Sequence, residues 1–242
     1  MSDREGEGRK ADPVKAFVLA GGLGTRLRPR FGDLPKGLAP LGNRPFLERP
    51  IEWLVSHGIR SVVLCVGHGA DQVEATLGDG SRLGAAITYS PETEPLGTGG
   101  ALANAARHAR GPALVLNGDT LVTCDPWQLE RARWETAALG AIALFEWSDP
   151  GSKGRVETDD RSRITRFVEK DPAHRGPTWV NGGLYAFSPH LWSKLPDGPS
   201  SLERDVLPKL AAEGLLLGVR MPGTFFDIGT PEEHERAERR LV

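Results

Sequence analysis

Short apolar runs, each nearly continuous, recur along the first half of the chain. Continuous rather than alternating runs are typical of strands that helices cover on both faces. The strands that these runs predict are residues 15–20, 61–67, 85–90 and 112–119. The helices predicted between them are residues 45–57, 70–77 and 99–109. Pro50 either kinks the first of these helices or marks its true start. The alternation predicts a mostly parallel sheet with right-handed crossovers.

The second half of the chain has more strand-like segments and fewer helical ones. Its predicted strands are residues 140–147, 154–159, 163–170, 180–188 and 215–220. Helices are predicted near residues 200–213 and over residues 231–241, where a proline at the first helical position is followed by two glutamates. No internal repeat or long linker divides the chain. Residues 14–242 therefore predict one α/β domain with a strand-rich extension.

Composition narrows the functional classes. Of the 242 residues, 39% are apolar and 26% are charged, which is ordinary for a soluble globular protein. The formal net charge of −2 gives no support for binding to nucleic acid or to a membrane surface, because both usually need a basic excess. No apolar run approaches the roughly 20 residues that span a bilayer. An anionic ligand would therefore have to meet a local cluster of positive groups.

The N-terminus and the cysteines favour a cytoplasmic protein. Residues 1–13 are largely charged and lack the apolar stretch of a signal peptide, so we expect a disordered tail there. Cys65 and Cys124 are too few for a disulfide framework or a zinc site. We therefore expect a reducing, cytoplasmic location.

A glycine-rich turn, with glycines at positions 21, 22 and 24, follows the first predicted strand. Glycine lets backbone N–H groups converge on an anion, so the turn predicts a phosphate site. A dinucleotide fingerprint is excluded because its third glycine is missing and Pro29 soon interrupts any helix. A Walker loop is excluded because G-K-[ST] is absent. A plain glycine turn with solvated arginines would leave Thr25–Arg26 and Pro35–Lys36 without a purpose.

The segment from Leu19 to Pro40 resembles the signature of the sugar nucleotidyltransferases, which are also called nucleoside-diphosphate-sugar pyrophosphorylases. In that family GGxGTRLxP is followed, after a short gap, by PKxxxP. Further segments resemble family motifs in the family's order. They are the nucleobase loop 92–100, the metal-binding strand end 116–119, the sugar-binding pieces 168–170 and 181–183, and the element 226–231 with a second metal carboxylate.

The resemblance covers nearly all of the chain after residue 13 and implies a fold. It implies a three-layer, Rossmann-like α/β nucleotidyltransferase domain with a mostly parallel mixed sheet and a small strand-rich sugar-binding extension. The nucleotide-binding half would span about residues 14–125 and the sugar-binding half about residues 126–242.

The family reaction is attack by a sugar 1-phosphate oxygen on the α-phosphorus of a nucleoside triphosphate, with release of pyrophosphate. The nucleophile is already ionised at neutral pH, so the barrier is mainly electrostatic and needs cations, backbone donors and Mg²⁺. The resemblance implies that Arg26 and Lys36 are the catalytic phosphate clamps and that Asp119 and Asp227 are the Mg²⁺ ligands. Taken singly, Asp119 could be a turn residue, and Asp227 a helix cap or a solvent-facing strand residue.

The resemblance also assigns binding residues. Those for the nucleotide are Leu19, Ala20, Gly21, Gly22, Gly24, Thr25, Glu92, Pro95, Gly97, Thr98, Asn117 and Gly118. Those for the sugar phosphate are Gly154, Glu169, Lys170, Asn181 and Gly182. Lys153 stands where the family usually has a tyrosine before this glycine, and Glu169–Lys170 could instead be a surface charge pair.

The nucleobase loop favours GTP. Glu92 occupies the place where thymidylyltransferases carry a base-reading glutamine. A carboxylate only accepts hydrogen bonds, so it suits the adjacent N1–H and N2–H donors of guanine better than the single N3–H of thymine or uracil. The amine of cytosine stays open. Segments 94–101, 201–210 and 225–233 most closely resemble guanylyltransferases that act on D-glycero-D-manno-heptose 1-phosphate, with mannose 1-phosphate enzymes next.

Several alternatives stay open at this point. The acceptor could be mannose 1-phosphate, another hexose or heptose phosphate, or a cyclitol phosphate. A non-catalytic nucleotide-sugar sensor is a different class, but such copies tend to lose the loop arginine, the Pro-Lys lysine or a metal aspartate, all of which this chain keeps. The sequence does not decide the oligomeric state, for which a homodimer is considered.

Overall fold

The computed structural model describes residues 14–148, 153–176 and 178–242, so the tail expected over residues 1–13 lies outside the described residues. In this part of the chain the α-helices are α1 (Arg28–Phe31), α2 (Glu48–Ser56), α3 (Ala70–Leu77), α4 (Gly97–Ala105), α5 (Pro126–Glu135), α6 (Leu207–Ala212) and α7 (Pro231–Leu241). The strands are β1 (Lys15–Leu19), β2 (Pro40–Leu41), β3 (Arg44–Pro45), β4 (Ser61–Val66), β5 (Ala86–Pro91), β6 (Ala113–Asn117), β7 (Thr120–Val122), β8 (Gly140–Trp147), β9 (Arg155–Thr158), β10 (Ile164–Val168), β11 (Thr178–Phe187), β12 (Leu216–Arg220) and β13 (Phe225–Asp227).

The main sheet has seven strands among the described residues, in the order β12-β8-β11-β6-β1-β4-β5. Strands β6, β1, β4 and β5 are parallel, and β12 is parallel to β8. Strand β11 is antiparallel to both of its neighbours, β6 and β8. The prediction of a mostly parallel mixed sheet is therefore confirmed.

Helices cover both faces of this sheet, which explains the continuous apolar runs. In β1, Ala16 and Val18 pack into one core cluster, whereas Phe17 packs into the other. The first cluster contains apolar residues of α2, α3 and α5, and the second contains residues of α4 and α6. Both side-chain sets of the strand are buried, as three stacked layers require.

Several helix boundaries differ from the prediction. Helix α2 begins at Glu48, so Pro50 lies in its first turn, where a backbone N–H has no partner inside the helix. Helix α5 was not predicted, although its start carries a recognisable signal. Asp125 Oδ1 accepts a hydrogen bond from Trp127 N at 2.9 Å, and Pro126 occupies the first helical position. The helix expected near 200–213 is a π-helical turn, Leu202–Val206, followed by α6.

Two small strand pairs form the strand-rich part of the second half. Strands β9 and β10 form an antiparallel ribbon, and β13 pairs with β7 next to the end of β6. The second pairing aligns Asp227 with Thr120 and so brings a late segment beside the central strand. None of the helices in the described ranges is long and apolar enough to cross a bilayer.

Candidate active site

A cleft with a volume of about 500 Å³ lies at the carboxyl ends of β1 and β6. Carboxyl ends of parallel strands are where open α/β sheets bind ligands. Close backbone approach shapes this edge: Gly118 follows β6, and a Cβ atom there would lie 2.6 Å from the carbonyl oxygen of Leu19. Only glycine therefore lets the ends of the two strands meet at this distance.

The cleft brings together every residue that the sequence assigned to the nucleotide. These lining residues are Leu19, Ala20, Gly21, Gly22, Gly24, Thr25, Glu92, Pro95, Gly97, Thr98, Asn117 and Gly118. Other lining residues lie in segments of the resemblance but were not assigned to the site, namely Leu23, Gly37, Ala101, Glu203 and Gly229. The segment SLERDV was part of the resemblance, but no local pattern singled out Glu203 within it.

Two cations of the predicted set line the same cleft. Arg26 is exposed and forms no ion pair with any residue that the structure describes. Lys36 begins a short 3₁₀ turn and forms an ion pair with Asp119. Arg28 and Arg30 face elsewhere: Arg28 lies 3.6 Å from an Asp33 oxygen, and Arg30 contacts two glutamates of α7 at 3.3 Å. Only Arg26 and Lys36 of these four are cleft residues.

The two predicted metal carboxylates lie on neighbouring elements. Asp119 lines the cleft directly after β6, and its carbonyl oxygen accepts a hydrogen bond from Ile228 N at 3.0 Å. Asp227 ends β13, and its Oδ1 accepts from the N–H of Gly229, a cleft residue, at 2.6 Å. Burial raises the pKa of Asp227, and the negative charge of Asp119 raises it further. The two carboxylates are therefore close enough to repel each other.

This pair of carboxylates fits a divalent cation. No group of three or more histidine, cysteine, aspartate or glutamate side chains that could hold a metal occurs among the described residues. Mg²⁺ does not need one, since it is usually held by one or two carboxylates together with phosphate oxygens and water. Asp119 and Asp227 repel each other, and a cation bound between them would reduce this repulsion.

Lys153 forms a charged cluster behind Asp227. Its Nζ lies 3.3 Å from Asp227 Oδ2 and 2.9 Å from Glu233 Oε1. The ammonium also lies over the rings of Trp147 and Phe225, at 5.1 Å and 5.5 Å from their centroids. Burial lowers the pKa of Lys153, but the two carboxylates outweigh it and the net effect raises that pKa. The sequence indicated this lysine only as a departure from the family pattern.

The residues assigned to the sugar phosphate lie outside the lining of this cleft. Glu169 and Lys170 are exposed just after β10, and Gly154 lies beside them, since a Cβ there would be 2.9 Å from the Val168 carbonyl oxygen. On β11, Asn181 Nδ2 donates to the Tyr185 hydroxyl at 3.0 Å.

The neighbour of Asn181 on β11, Gly182, packs against the ring of Phe145, which leaves no room for a Cβ. The five residues assigned to the sugar phosphate thus form an exposed group around Gly154 and a strand group around Asn181.

Glu92, which the resemblance assigns to the nucleobase loop, lines the cleft. Its Oε2 accepts a hydrogen bond from Leu96 N at 2.9 Å, which fixes the carboxylate within its own loop. Burial raises the pKa of Glu92 and outweighs the effect of that hydrogen bond. The other carboxylate oxygen lies against Gly21, at the glycine turn. The cleft thus offers a carboxylate acceptor beside the glycine turn.

The chain is similar in sequence to known proteins. The nucleotidyl transferase family model matches residues 15–241. The chain is 39% identical over 236 residues to a mannose-1-phosphate guanylyltransferase of Mycobacterium tuberculosis, covering 95% of this chain and 65% of that relative. It spans between 60 and 65% of the length of the curated relatives that it matches.

The chain is also similar in fold to solved structures. HddC from Yersinia pseudotuberculosis complexed with GMP-PN superposes with a TM-score of 0.84 at 29% identity, covering 95% of this chain and 100% of that chain. A second HddC structure gives a TM-score of 0.85 at 30% identity with the same coverage.

Proposed function

Because the chain belongs to the nucleotidyl transferase family, we propose that it transfers a guanylyl group from GTP to a sugar 1-phosphate. The supporting observation is a single cleft that brings the glycine turn and Arg26, Lys36, Glu92 and Asp119 together. Such a site offers backbone donors and cations for a triphosphate and an acceptor for a base. The mannose-1-phosphate guanylyltransferases among its relatives have the same class of activity in their names.

In the proposed reaction, an oxygen of the sugar 1-phosphate forms a bond to the α-phosphorus while the bond from that phosphorus to the bridging oxygen of the β-phosphate breaks. Pyrophosphate leaves, and a GDP-sugar is formed. Arg26 has no partner among the described residues, so its guanidinium is available to hold phosphate oxygens in a bidentate manner. The Lys36 ammonium has three N–H donors, so it can hold Asp119 and a phosphate oxygen together.

We propose Asp119 and Asp227 as the residues that hold Mg²⁺. When bound, Mg²⁺ supplies positive charge that offsets the charge of the phosphate oxygens. Asp119→Asn and Asp227→Asn should each reduce turnover by orders of magnitude while the thermal unfolding temperature changes little. Calorimetric titration with Mn²⁺ adds a readout that does not depend on turnover. Near-normal Mg²⁺-dependent activity in either variant would remove that residue from the proposed metal site.

The proposal also names the sugar 1-phosphate that accepts the guanylyl group. Resemblance of segments 94–101, 201–210 and 225–233 to heptose guanylyltransferases favours D-glycero-D-manno-heptose 1-phosphate. Mannose 1-phosphate is the second candidate, because the curated relatives are named for it. The decisive experiment is a matrix of four nucleoside triphosphates against these two acceptors, other hexose 1-phosphates and a cyclitol phosphate, measured as pyrophosphate release. Release with GTP and a sugar 1-phosphate supports the proposal, whereas nucleotide-sugar binding without any release would indicate a sensor.

A further inference from the structure

Glu203 is a cleft residue that the proposed reaction does not use. It lies in the π-helical turn Leu202–Val206, which belongs to the second half of the chain, yet it lines the cleft with the nucleotide residues. Two hydroxyl groups hold one of its carboxylate oxygens: Oε2 accepts from Thr98 Oγ1 at 2.7 Å and from Ser201 Oγ at 3.2 Å. The carboxylate is therefore fixed in position at the edge of the cleft.

The other oxygen of Glu203, Oε1, forms no hydrogen bond or ion pair with any residue that the structure describes. Asn117 lines the same cleft, and its Oδ1 atom is buried and has no hydrogen-bond partner within the described ranges. Buried acceptors without a donor are uncommon, and a bound molecule is one way in which they are satisfied. The cleft thus offers one buried acceptor without a donor, on Asn117, and one half-buried carboxylate oxygen of Glu203 that is free to accept from a ligand.

The charge of Glu203 restricts which part of a nucleotide can lie beside it. A carboxylate repels phosphate groups, and the cleft places its unpaired cation, Arg26, on the glycine turn instead. A carboxylate accepts hydrogen bonds from neutral hydroxyl or amine groups. A nucleoside triphosphate carries such groups on its ribose and its base.

The position of Glu203 favours the ribose over the base. Its contact with Thr98 places it next to the predicted nucleobase loop, in which Glu92 is the proposed acceptor for the base. Glu203 also lines the same cleft as Arg26 and Asp119, the residues proposed for the phosphate end. A nucleotide with its base at Glu92 and its phosphates at Arg26 has its ribose between these ends.

We propose that Glu203 is a specificity-determining residue that accepts a hydrogen bond from a ribose hydroxyl and so favours GTP over the deoxy analogue that lacks this hydroxyl. The assignment rests on the proposed function, since it requires GTP in this cleft. Thr98 and Ser201 act as positioning residues, because their hydroxyls hold the carboxylate at the cleft edge.

The test is calorimetric binding of GTP, 2′-deoxy-GTP, 3′-deoxy-GTP and ITP in the presence of Mg²⁺. A hydrogen bond to a charged acceptor corresponds to about tenfold in affinity or more. Glu203→Gln should therefore weaken GTP and ITP by about tenfold or more, while at least one deoxy analogue changes by less than about threefold. Asp205→Asn is the matched control, because Asp205 lies in the same turn and holds Ser201 N at 2.7 Å but does not line the cleft. It should leave the preference for ribose unchanged.

Other outcomes overturn the assignment. Equal losses of affinity for GTP and both deoxy analogues would indicate that Glu203 acts through folding or through the overall charge of the cleft. A loss of affinity for GTP that is absent for ITP would place Glu203 at the base. Should Glu203→Gln fail to fold, Glu203→Asp keeps the charge but withdraws the carboxylate by one methylene, and a wild-type ribose preference in that variant would overturn the assignment. If the wild-type protein binds GTP and one of these results is found, only the role of Glu203 is refuted. If the wild-type protein does not bind GTP, the proposed function is overturned as well.

Discussion

Replacing Lys153 by methionine tests the charged cluster behind Asp227. Methionine keeps a long apolar side chain against the rings of Trp147 and Phe225, so the substitution mainly removes the positive charge. It leaves Asp227 and Glu233 close together without a counter-charge. We expect a less stable protein, because two partly buried carboxylates then repel each other without compensation.

The magnitude follows from the burial of the three side chains. Lys153, Asp227 and Glu233 are 21%, 27% and 26% exposed, which is intermediate between a buried and a surface ion pair. Breaking a buried pair costs about 3–5 kcal/mol, and an exposed pair contributes about 0.2–1 kcal/mol. We therefore expect a loss of about 1–3 kcal/mol in the free energy of unfolding. For a domain of this size, that corresponds to a fall in Tm of about 3–10 °C.

Thermal unfolding at pH 7 measures this effect, with Lys194→Met as the matched control. Lys194 pairs with Glu213 at 2.7 Å, but the two side chains are 43% and 48% exposed, so its loss should cost less than about 1 kcal/mol. Because the pKa of Lys153 is raised, its contribution is complete below the ordinary lysine value of 10.5 and is lost only as the pH rises through the raised value. A fall in Tm no larger than that of Lys194→Met would refute the described cluster.

Other substitutions test separate parts of the cleft. Arg26→Ala should reduce pyrophosphate release by about a hundredfold or more without lowering Tm, and activity near the wild-type level would exclude Arg26 as a phosphate clamp. Since the pKa of Glu92 is raised above its ordinary value of 4.5, the preference for GTP over dTTP should decline on acidification earlier than an ordinary glutamate would allow. In Glu92→Gln that preference should be weak at every pH, and an unchanged preference would show that Glu92 does not read the base. Gly97→Ala should lower the unfolding free energy in urea by about 1–3 kcal/mol, because φ is +70° and a Cβ would lie 2.6 Å from Ser200 O. Gly22→Ala, which meets nothing within 4 Å, is its control and should change stability little.

The layered fold could be predicted because its signals are local. Each central strand is an apolar run whose alternate residues are buried on opposite faces, so the run itself indicates cover on both sides. Helix α5 was not predicted because its apolar pattern is weak: charged and polar residues fill half of the segment PWQLERARWE. The Asp125–Pro126 start was the stronger signal there, since a cap and a first-position proline depend on two adjacent residues rather than on periodicity.

Most of the residues that line the cleft could be predicted to lie together for a similar reason. The glycine turn and the end of β6 are short motifs whose adjacent residues line the same cleft. Glu203 and the Lys153 cluster could not be predicted in this way. Thr98 and Glu203 are 105 positions apart, and Lys153 is 74 and 80 positions from its two carboxylates. Such contacts are created by the packing of α4, β13 and α7, and no local spacing in the sequence encodes them.

Charge balance explains why a cation belongs in the proposed chemistry even though the glycine turn offers many donors. Lys36 is already paired with Asp119, and Lys153 with Asp227, so neither lysine leaves a full positive charge for a ligand. The cations of the site are Arg26, Lys36 and Lys153, and its carboxylates are Asp119, Asp227, Glu233, Glu92 and Glu203. A triphosphate entering this set meets more negative than positive charge. Backbone dipoles and the guanidinium of Arg26 would have to overcome that excess alone, whereas a divalent ion held by the two aspartates would cancel it and leave Glu92 and Glu203 to act on uncharged groups.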